Sequence, residues 1–386
     1  MNDSNDAPRY EWAKTDCRHY VGEKPCKLRK TGCEGCEFYD PMGARVLVIK
    51  LAAMGDVIRT TPILDPIRAR HERRGERCHV TWVVDAPTAP LLKGIPGIDN
   101  LIAMDGHTAT ILAAQKFDEV YCLDKEPRAI ALGAAIPAPY KKGFTMTPYG
   151  TLGVCDDDAA YALRLGVDDP FKFLENTRTY QDIIFEVAGF KFADEPVRLG
   201  IGEAEREYGR AHLAQFGVGP FVGVNTGAGK VFATKRLSEE QTAELCRAIR
   251  DELGATPVLL GGRDEADRNA RILALSGGAA VDGGTSHGVR DFAGVVGHLA
   301  ALVCVDTLAM HLAVAQQIPV VVLFGPTCPQ EVHLYGHGEK YISAPWCAPC
   351  YKGACDHHTC MREIETLVVM EKLRRAVFIF LKRHLT

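Results

Sequence analysis

Nothing in these 386 residues is apolar for long enough to cross a bilayer. Runs such as Val320 to Phe324 or Ala376 to Leu381 fall far short of the roughly 20 residues a spanning helix needs. Positive charge is not in excess either. The 45 Lys and Arg stand against 49 Asp and Glu, a formal charge of −4, which leaves no basic footprint for nucleic acid. Met1 to Lys14 lacks the apolar core of a secretory signal, so a cytoplasmic protein is expected. No G-x-G-x-x-G follows a strand pattern with an acidic residue about twenty positions on, which disfavours a nicotinamide enzyme. No short-period repeat is visible, which sets aside a solenoid.

What is present is a globular composition, 47% hydrophobic and 24% charged, in a chain long enough for roughly two domains. From Arg45 short apolar runs alternate with helical periods: Val46 to Leu51, His79 to Val84, Leu101 to Met104 and Glu119 to Leu123. Strands separated by helices imply parallel β-α-β units. A helical pattern from Phe171 to Phe190 closes this half, and Pro196 to Gly202 reads as a linker. The pattern restarts at Phe221 to Asn225, Pro257 to Leu260, Ala301 to Val305 and Val320 to Phe324. Between the first two, Ser238 and Gln241 make a capping box, Leu245, Ile249 and Leu253 share a face, and Gly254 stops the helix. The expected fold is α/β: two Rossmann-like, doubly wound parallel sheets facing a cleft at the carboxyl ends of their strands, where such sheets bind ligands. The expected divisions are a cysteine-rich segment over 1–43, one domain over 44–200, a second over 201–345, and a cysteine-rich loop with a closing helix over 346–386.

Three strand-to-helix junctions are candidates for chemistry. Lys50-Leu51-Ala52-Ala53-Met54-Gly55-Asp56-Val57 puts Asp56 at the cleft end of the first strand, as a catalytic carboxylate or as a helix cap. Asn225-Thr226-Gly227-Ala228-Gly229-Lys230 looks like a phosphate loop but fails as a Walker motif. Gly223 to Gly229 is one residue too long, and Val231 stands where Ser or Thr is required. Such a loop, with Thr226 and Gly227, still offers backbone N–H groups to a phosphate, and Lys235 reaches the same anion unless it is a solvated surface lysine. Val305-Asp306-Thr307-Leu308-Ala309-Met310-His311-Leu312 again ends a strand at a helix start, whose free N–H groups favour a diphosphate. There Asp306 or Thr307 is alternatively a cap and His311 a packing residue. Phe324-Gly325-Pro326-Thr327 is a further junction on the same edge.

Taken together, Met54-Gly55-Asp56-Val57, Lys235-Arg236-Leu237, Gly261-Gly262 with Glu265, Asp306-Thr307 with Met310-His311-Leu312-Ala313, and Phe324-Gly325-Pro326-Thr327 resemble glycosyltransferase family nine, the bacterial ADP-heptose:lipopolysaccharide heptosyltransferases. Order and spacing agree over about Arg45 to Tyr335. The resemblance implies a GT-B fold, with the acceptor in the first half, ADP-heptose in the second, and a C-terminal helix packing back across. It implies an inverting transfer that needs no metal or other cofactor, with Asp56 as general base, Lys235 on the phosphate and Glu265 on the ribose. Asp306, Thr307 and His311 match the motif that surrounds the diphosphate. The implied acceptor is a lipid-linked glycan of the lipopolysaccharide core, met at the inner face of the inner membrane. Two positions depart from the family: Leu308, where a small residue is usual, and Leu237, where tryptophan often follows the Lys-Arg pair. Alternatives are a protein hydroxyl as acceptor, a GT-B nucleotide-sugar epimerase, and a catalytically silent nucleotide-sugar binding protein.

Fourteen cysteines are many for a reducing compartment, where grouped thiols usually mean metal. Cys17, Cys26, Cys33 and Cys36 precede the first strand, and Cys347, Cys350, Cys355 and Cys360 follow the last, each set enough for one tetrahedral site. Neither matches ferredoxin spacings, which favours structural zinc, with iron or an iron–sulfur cluster as the alternative. The second set is similar to the iron-binding finger of the autotransporter heptosyltransferases, which glycosylate protein. The remaining cysteines are dispersed singly and read as inert. Glu371 to His384 reads as a helix with Leu373, Val377, Phe378 and Leu381 apolar and Arg374, Arg375, Lys382 and Arg383 charged. It packs with its basic face in solvent, or it touches a membrane surface.

Overall fold

The computed structural model describes residues 10–229, 232–343 and 345–385 and, of residues 379–385, the backbone alone. The first nine residues, Lys230, Val231 and the side chains of Leu381, Lys382 and Arg383, all used in the sequence reading, lie outside the described residues.

Two six-stranded sheets carry the fold. In the first, β1 (Ala44–Ile49) lies between β2 (Cys78–Val84) and β4 (Glu119–Cys122). Beyond β2 comes β3 (Asn100–Ala103), and beyond β4 come β5 (Tyr140–Met146) and β6 (Leu152–Val154). The second contains β7 (Phe221–Asn225), β8 (Thr256–Leu260), β9 (Val281–Asp282), β10 (Ala301–Val305), β11 (Val320–Phe324) and β12 (Gly338–Ile342), in the order β12-β11-β10-β7-β8-β9. Every pairing is parallel except β5 with β6. Strands covered on both faces are unbroken apolar runs, and β2, β10 and β11 are buried along their whole length. Ile49 pairs with Val83 and Cys122, so β1 ends flush with its neighbours and Lys50 to Ala53 leave the sheet at its carboxyl edge.

Four helices matter for the site: α1 (Met54–Thr60), α2 (Glu239–Leu253), α3 (Leu308–Ala315) and α4 (Thr366–Leu385). The capping box of α2 is present, with Ser238 Oγ accepting from the Gln241 N–H at 3.1 Å, Gln241 Oε1 accepting from the Ser238 N–H at 3.0 Å, and Gly254 left-handed at φ +62°. Trp82, Ile49 and Tyr121 anchor the core of the first half. A second core is shared between halves, because Ile58 and Leu91 pack with Met310, Leu312 and Val295.

One expectation is corrected and further elements are added. The stretch from Phe171 to Phe190 is not one helix but a single π turn, Phe171–Glu175, followed by an extended step and a fresh helix, Tyr180–Val187. Thr179 and Asp182 form a capping box there, satisfying backbone donors that a continuous helix would have used internally. The edge strands β5, β6, β9 and β12 are absent from the sequence reading because they are short or half-exposed and show no clean alternation. The described part of α4 begins at Thr366 and packs through Leu373 on α2, β10, β11 and β12 of the second half. Among the described residues no helix is long and apolar enough to cross a membrane.

Residues 10–43 form turns and two isolated bridges, Tyr10 with Ala13 and Cys17 with Pro41. Arg18 ties the segment down through Asp40 at 2.9 Å and Asp99 at 3.4 Å. It enters β1 at Ala44, the amino end of that strand, on the side away from the cleft.

Candidate active site

The turn after β1 is held from beneath by a buried ion pair. Lys50 Nζ donates to Ala52 O at 2.7 Å and to Asp124 Oδ2 at 3.3 Å. Asp124, just past β4, also accepts the N–H groups of Leu51 and Ala52 at 2.9 and 3.1 Å. The sequence reading gave this pair no role; a lysine closing an otherwise apolar strand is the signal that was available.

Asp56 sits in the first turn of α1, whose N-cap is Ala53 and carries no side-chain capping bond, so the carboxylate is not a cap. It accepts instead from Arg59, at 2.9 Å from Nε and 2.7 Å from Nη2. The Arg59 guanidinium lies 3.7 Å from the Tyr180 ring centre, and the Tyr180 hydroxyl shares a 2.7 Å hydrogen bond with Thr60. Burial works to raise the Asp56 carboxyl, but Arg59, Lys50 and His311 outweigh it and hold it at about 2. Asp56 is therefore ionised at neutral pH.

His311, on α3 in the other half, meets α1 at Gly55, next to this carboxylate. A Cβ on Gly55 would stand 2.3 Å from His311 Cδ2, so the glycine is what lets the two helices meet. Burial and the Arg59 charge lower the imidazole to about 4 against the pull of Asp306 and Asp56, which leaves it neutral. Glu331 belongs to the same group of charges: burial raises its carboxyl, opposed by Lys172 and Arg59. Neither Arg59 nor Glu331 was singled out from the sequence.

The second half has a cavity of about 440 Å³ lined by Gly227, Glu265, Asp306 and Thr307. Thr307 precedes α3 without making a capping bond; its hydroxyl donates to Val305 O at 3.2 Å and accepts from Asn225 Nδ2 at 3.4 Å. Lys235 is buried and not a solvated surface lysine, its Nζ donating to Asp306 O at 3.2 Å and Asp306 Oδ2 at 3.4 Å. Glu265 accepts from the Gly262 N–H at 2.9 Å and Arg236 Nη2 at 2.8 Å, which leaves carboxylate lone pairs for hydroxyl donors. Thr226 is a correction. Its hydroxyl bonds Asn269 Oδ1 at 2.5 Å and its N–H donates to Leu260 O at 2.9 Å, so it points into the core and the cavity is faced by Gly227, Ala228 and Gly229. Arg263, Val289 and Phe292 also line the cavity and were not foreseen.

Gly284-Thr285-Ser286-His287-Gly288 has the G-x-S-x-G order of a hydrolase nucleophile elbow. His287 is committed to the Tyr208 hydroxyl at 2.8 Å and Gly283 O at 2.6 Å, and no histidine bonds Ser286 among the described residues.

All fourteen cysteines are free thiols. Cys17, Cys26, Cys33 and Cys36 line one cavity of about 410 Å³, where the Asp40 N–H donates to Cys17 Sγ at 3.5 Å and the Arg29 N–H to Cys26 Sγ at 3.3 Å. Cys347, Cys350, Cys355 and Cys360 line another with His357 and His358, and the His358 N–H donates to Cys355 Sγ at 3.4 Å. Yet among the described residues no group of three or more His, Cys, Asp or Glu side chains is gathered as a metal site.

Two facing parallel sheets with a polar cleft between their carboxyl ends are the architecture of a GT-B glycosyltransferase. Residues 110–360 match the family model for glycosyltransferase family 9 (heptosyltransferase). The chain is 32% identical over 328 residues to lipopolysaccharide heptosyltransferase 1 of Pseudomonas aeruginosa, covering 81% of this chain and 88% of that protein. It belongs to glycosyltransferase family 9. Its fold is similar to that of the family 9 glycosyl transferase from Veillonella parvula, with a TM-score of 0.68 at 21% identity over 87% of this chain and 97% of that one. It is also similar to the dodecameric iron-containing heptosyltransferase TibC in complex with ADP-D-beta-D-heptose, with a TM-score of 0.52 at 14% identity over 87% of this chain and 77% of that one.

Proposed function

We propose that this glycosyltransferase moves a heptose from ADP-heptose to a hydroxyl of a lipopolysaccharide core-like acceptor, with inversion at the anomeric carbon. The observation that carries the reading is the meeting of α1 and α3, which brings the Asp56-bearing turn of one half to the first turn of a helix that borders the cavity of the other.

In this reading the nucleobase lies against Val289 and Phe292, the ribose hydroxyls donate to Glu265, and the diphosphate spans Gly227 to Gly229 and the amino end of α3. The acceptor oxygen bonds to the anomeric carbon as the bond to the phosphate oxygen breaks, and the electron pair leaves with ADP. Asp56 takes the hydroxyl proton. A carboxylate at about 2 is a weak base, but the attacking hydroxyl grows acidic as its new bond forms, so late proton transfer to it runs downhill. Negative charge builds on the leaving ADP, where Lys235, released from Asp306, and the N–H groups of α3 meet it. Transfer on these groups needs no divalent ion.

In this reading residues 44–200 are the acceptor half, 201–345 the donor half, and the flanking cysteine segments structural modules. Cys17, Cys26, Cys33 and Cys36, and separately Cys347, Cys350, Cys355 and Cys360, would hold zinc, or iron in its place, as a structural cross-link; backbone N–H donors to Cys17, Cys26 and Cys355 suit such a site. The enzyme works in the cytoplasm against the inner face of the inner membrane. The test is Lys235→Ala assayed with ADP-heptose and a truncated core acceptor. Turnover should fall by about two to three orders of magnitude, the scale of one lost electrostatic donor. Normal turnover would overturn the assignment.

A further inference from the structure

The C-terminal cysteine loop is tied to three separate parts of the molecule through Tyr351, the residue after Cys350. The N–H groups of Tyr351 and Cys350 both donate to Pro326 O, at 2.9 and 3.0 Å, in the junction that follows β11. The Tyr351 hydroxyl accepts from the Cys328 N–H at 3.4 Å. Its ring lies between the halves. On the first-half side it stacks on Phe173, with ring centres 5.7 Å apart and planes 15° apart, and Lys172 Nζ lies 4.0 Å from its centre. On the second-half side it meets Phe232 edge-on at 5.9 Å.

Phe232 leads to Lys235, which bonds Asp306 at the edge of the second-half cavity. Lys235 Nζ lies 4.9 Å from its ring centre, and Thr234 Oγ1 donates to Lys352 O at 2.8 Å, so the turn that presents Lys235 is fastened to the cysteine loop twice. The first-half partner is equally specific. Lys172 and Phe173 both reach the ring from the single π turn Phe171–Glu175, a distortion that recurs at functional positions, and Lys172 O also accepts from Gln330 Nε2 at 3.3 Å.

We infer that Tyr351 is a positioning residue for the donor diphosphate: it latches the first half to the turn bearing Lys235, and it makes donor affinity depend on the C-terminal cysteine loop. The inference rests on the reading of Lys235 as the diphosphate contact. Tyr351 touches no reacting atom, so its effect is on donor binding and not on the proton transfer at Asp56.

The test is donor affinity, measured by calorimetric titration of the full-length protein with ADP-heptose. Tyr351→Ala should weaken binding about tenfold, equivalent to about 1.4 kcal/mol. Tyr351→Phe keeps both ring contacts and should bind within about twofold of the unaltered protein. Phe173→Ala lies in the acceptor half, yet it should weaken donor binding about threefold through the lost stack, and it should add nothing in a Tyr351→Ala background. Melting temperatures alone would not show that coupling. If Phe173→Ala leaves donor affinity unchanged, or if its effect adds fully to that of Tyr351→Ala, the latch is wrong. Should Tyr351→Ala fail to fold, Phe173→Ala and Tyr351→Phe still decide the matter. Lys235→Ala measured beside them separates the two failures: unchanged donor affinity there sinks the donor-site reading itself, whereas a loss there with none at Phe173 sinks the latch alone.

Discussion

Asp56 and His311 approach one another from opposite halves and are pushed in the same direction on the pH scale for different reasons. Cations hold Asp56 at about 2, whereas burial with Arg59 brings His311 to about 4. Asp56→Asn keeps size and removes basicity, so it should fold and bind ADP-heptose normally yet transfer roughly a hundredfold more slowly, as steady-state rates would show. His311 makes a separate prediction about stability. Its folded value lies below the ordinary imidazole value, so as pH falls from 6.5 toward 4 the unfolded chain takes up the proton first and the folded state loses ground. Melting temperature should therefore drop across that window, and His311→Gln should flatten the slope. Asp56 does not contribute there, because the stability it supplies is present above the ordinary carboxylate range and is lost only as pH falls toward 2. Asp56, Asp306 and Thr307 stand out in the sequence because each closes a strand or opens a helix, whereas Lys235 ends a single turn, Ala233–Lys235, and stands out only by following the glycine-rich loop. Lys50 with Asp124 does not, since the partners meet only once β1 and β4 are side by side. Thr226 was misread because a side chain leaving a strand end alternates between cleft and core, and register alone decides which.

Among elements, α2 shows local sequence at its most informative. Its cap, apolar face and left-handed stop are all encoded within the helix and its neighbours, so Ser238→Ala should cost about 1 kcal/mol in denaturant unfolding with no change in donor affinity. The contact of α1 with α3 is different in kind, because nothing within α1 says why residue 55 is glycine. Gly55→Ala places a methyl carbon 2.3 Å from the His311 ring and must push the helices apart. The expected cost is about 1–3 kcal/mol of overpacking, with transfer reduced at least tenfold, and His311→Ala in the same chain should restore the melting temperature. The central strands were readable for the reason that makes them central: burial on both faces leaves continuous apolar runs. The edge strands and the broken segment after Phe171 were not, since half-exposed strands and a π turn leave no period to follow.

At the scale of the whole molecule, two sheets share one apolar seam and one polar cleft, and the cysteine segments attach at opposite sides of that body. The N-terminal set lies at the amino end of β1, away from the chemistry, whereas the C-terminal set is fastened to the cleft rim. Elemental analysis of purified protein should find zinc or iron, and Cys350→Ser should lower the melting temperature; metal-free protein of full activity and unchanged stability would contradict the proposed modules. In the proposed reaction a single displacement crosses the cleft, with the proton taken by Asp56 and ADP leaving toward Lys235. It is tested most directly by the anomeric configuration of the product, read by NMR after incubation with ADP-heptose, a truncated lipopolysaccharide core and a chelator. ADP should be released only when acceptor is present, matched by a product of opposite anomeric configuration to the donor. Retained configuration, or ADP and free sugar formed without acceptor, would contradict it.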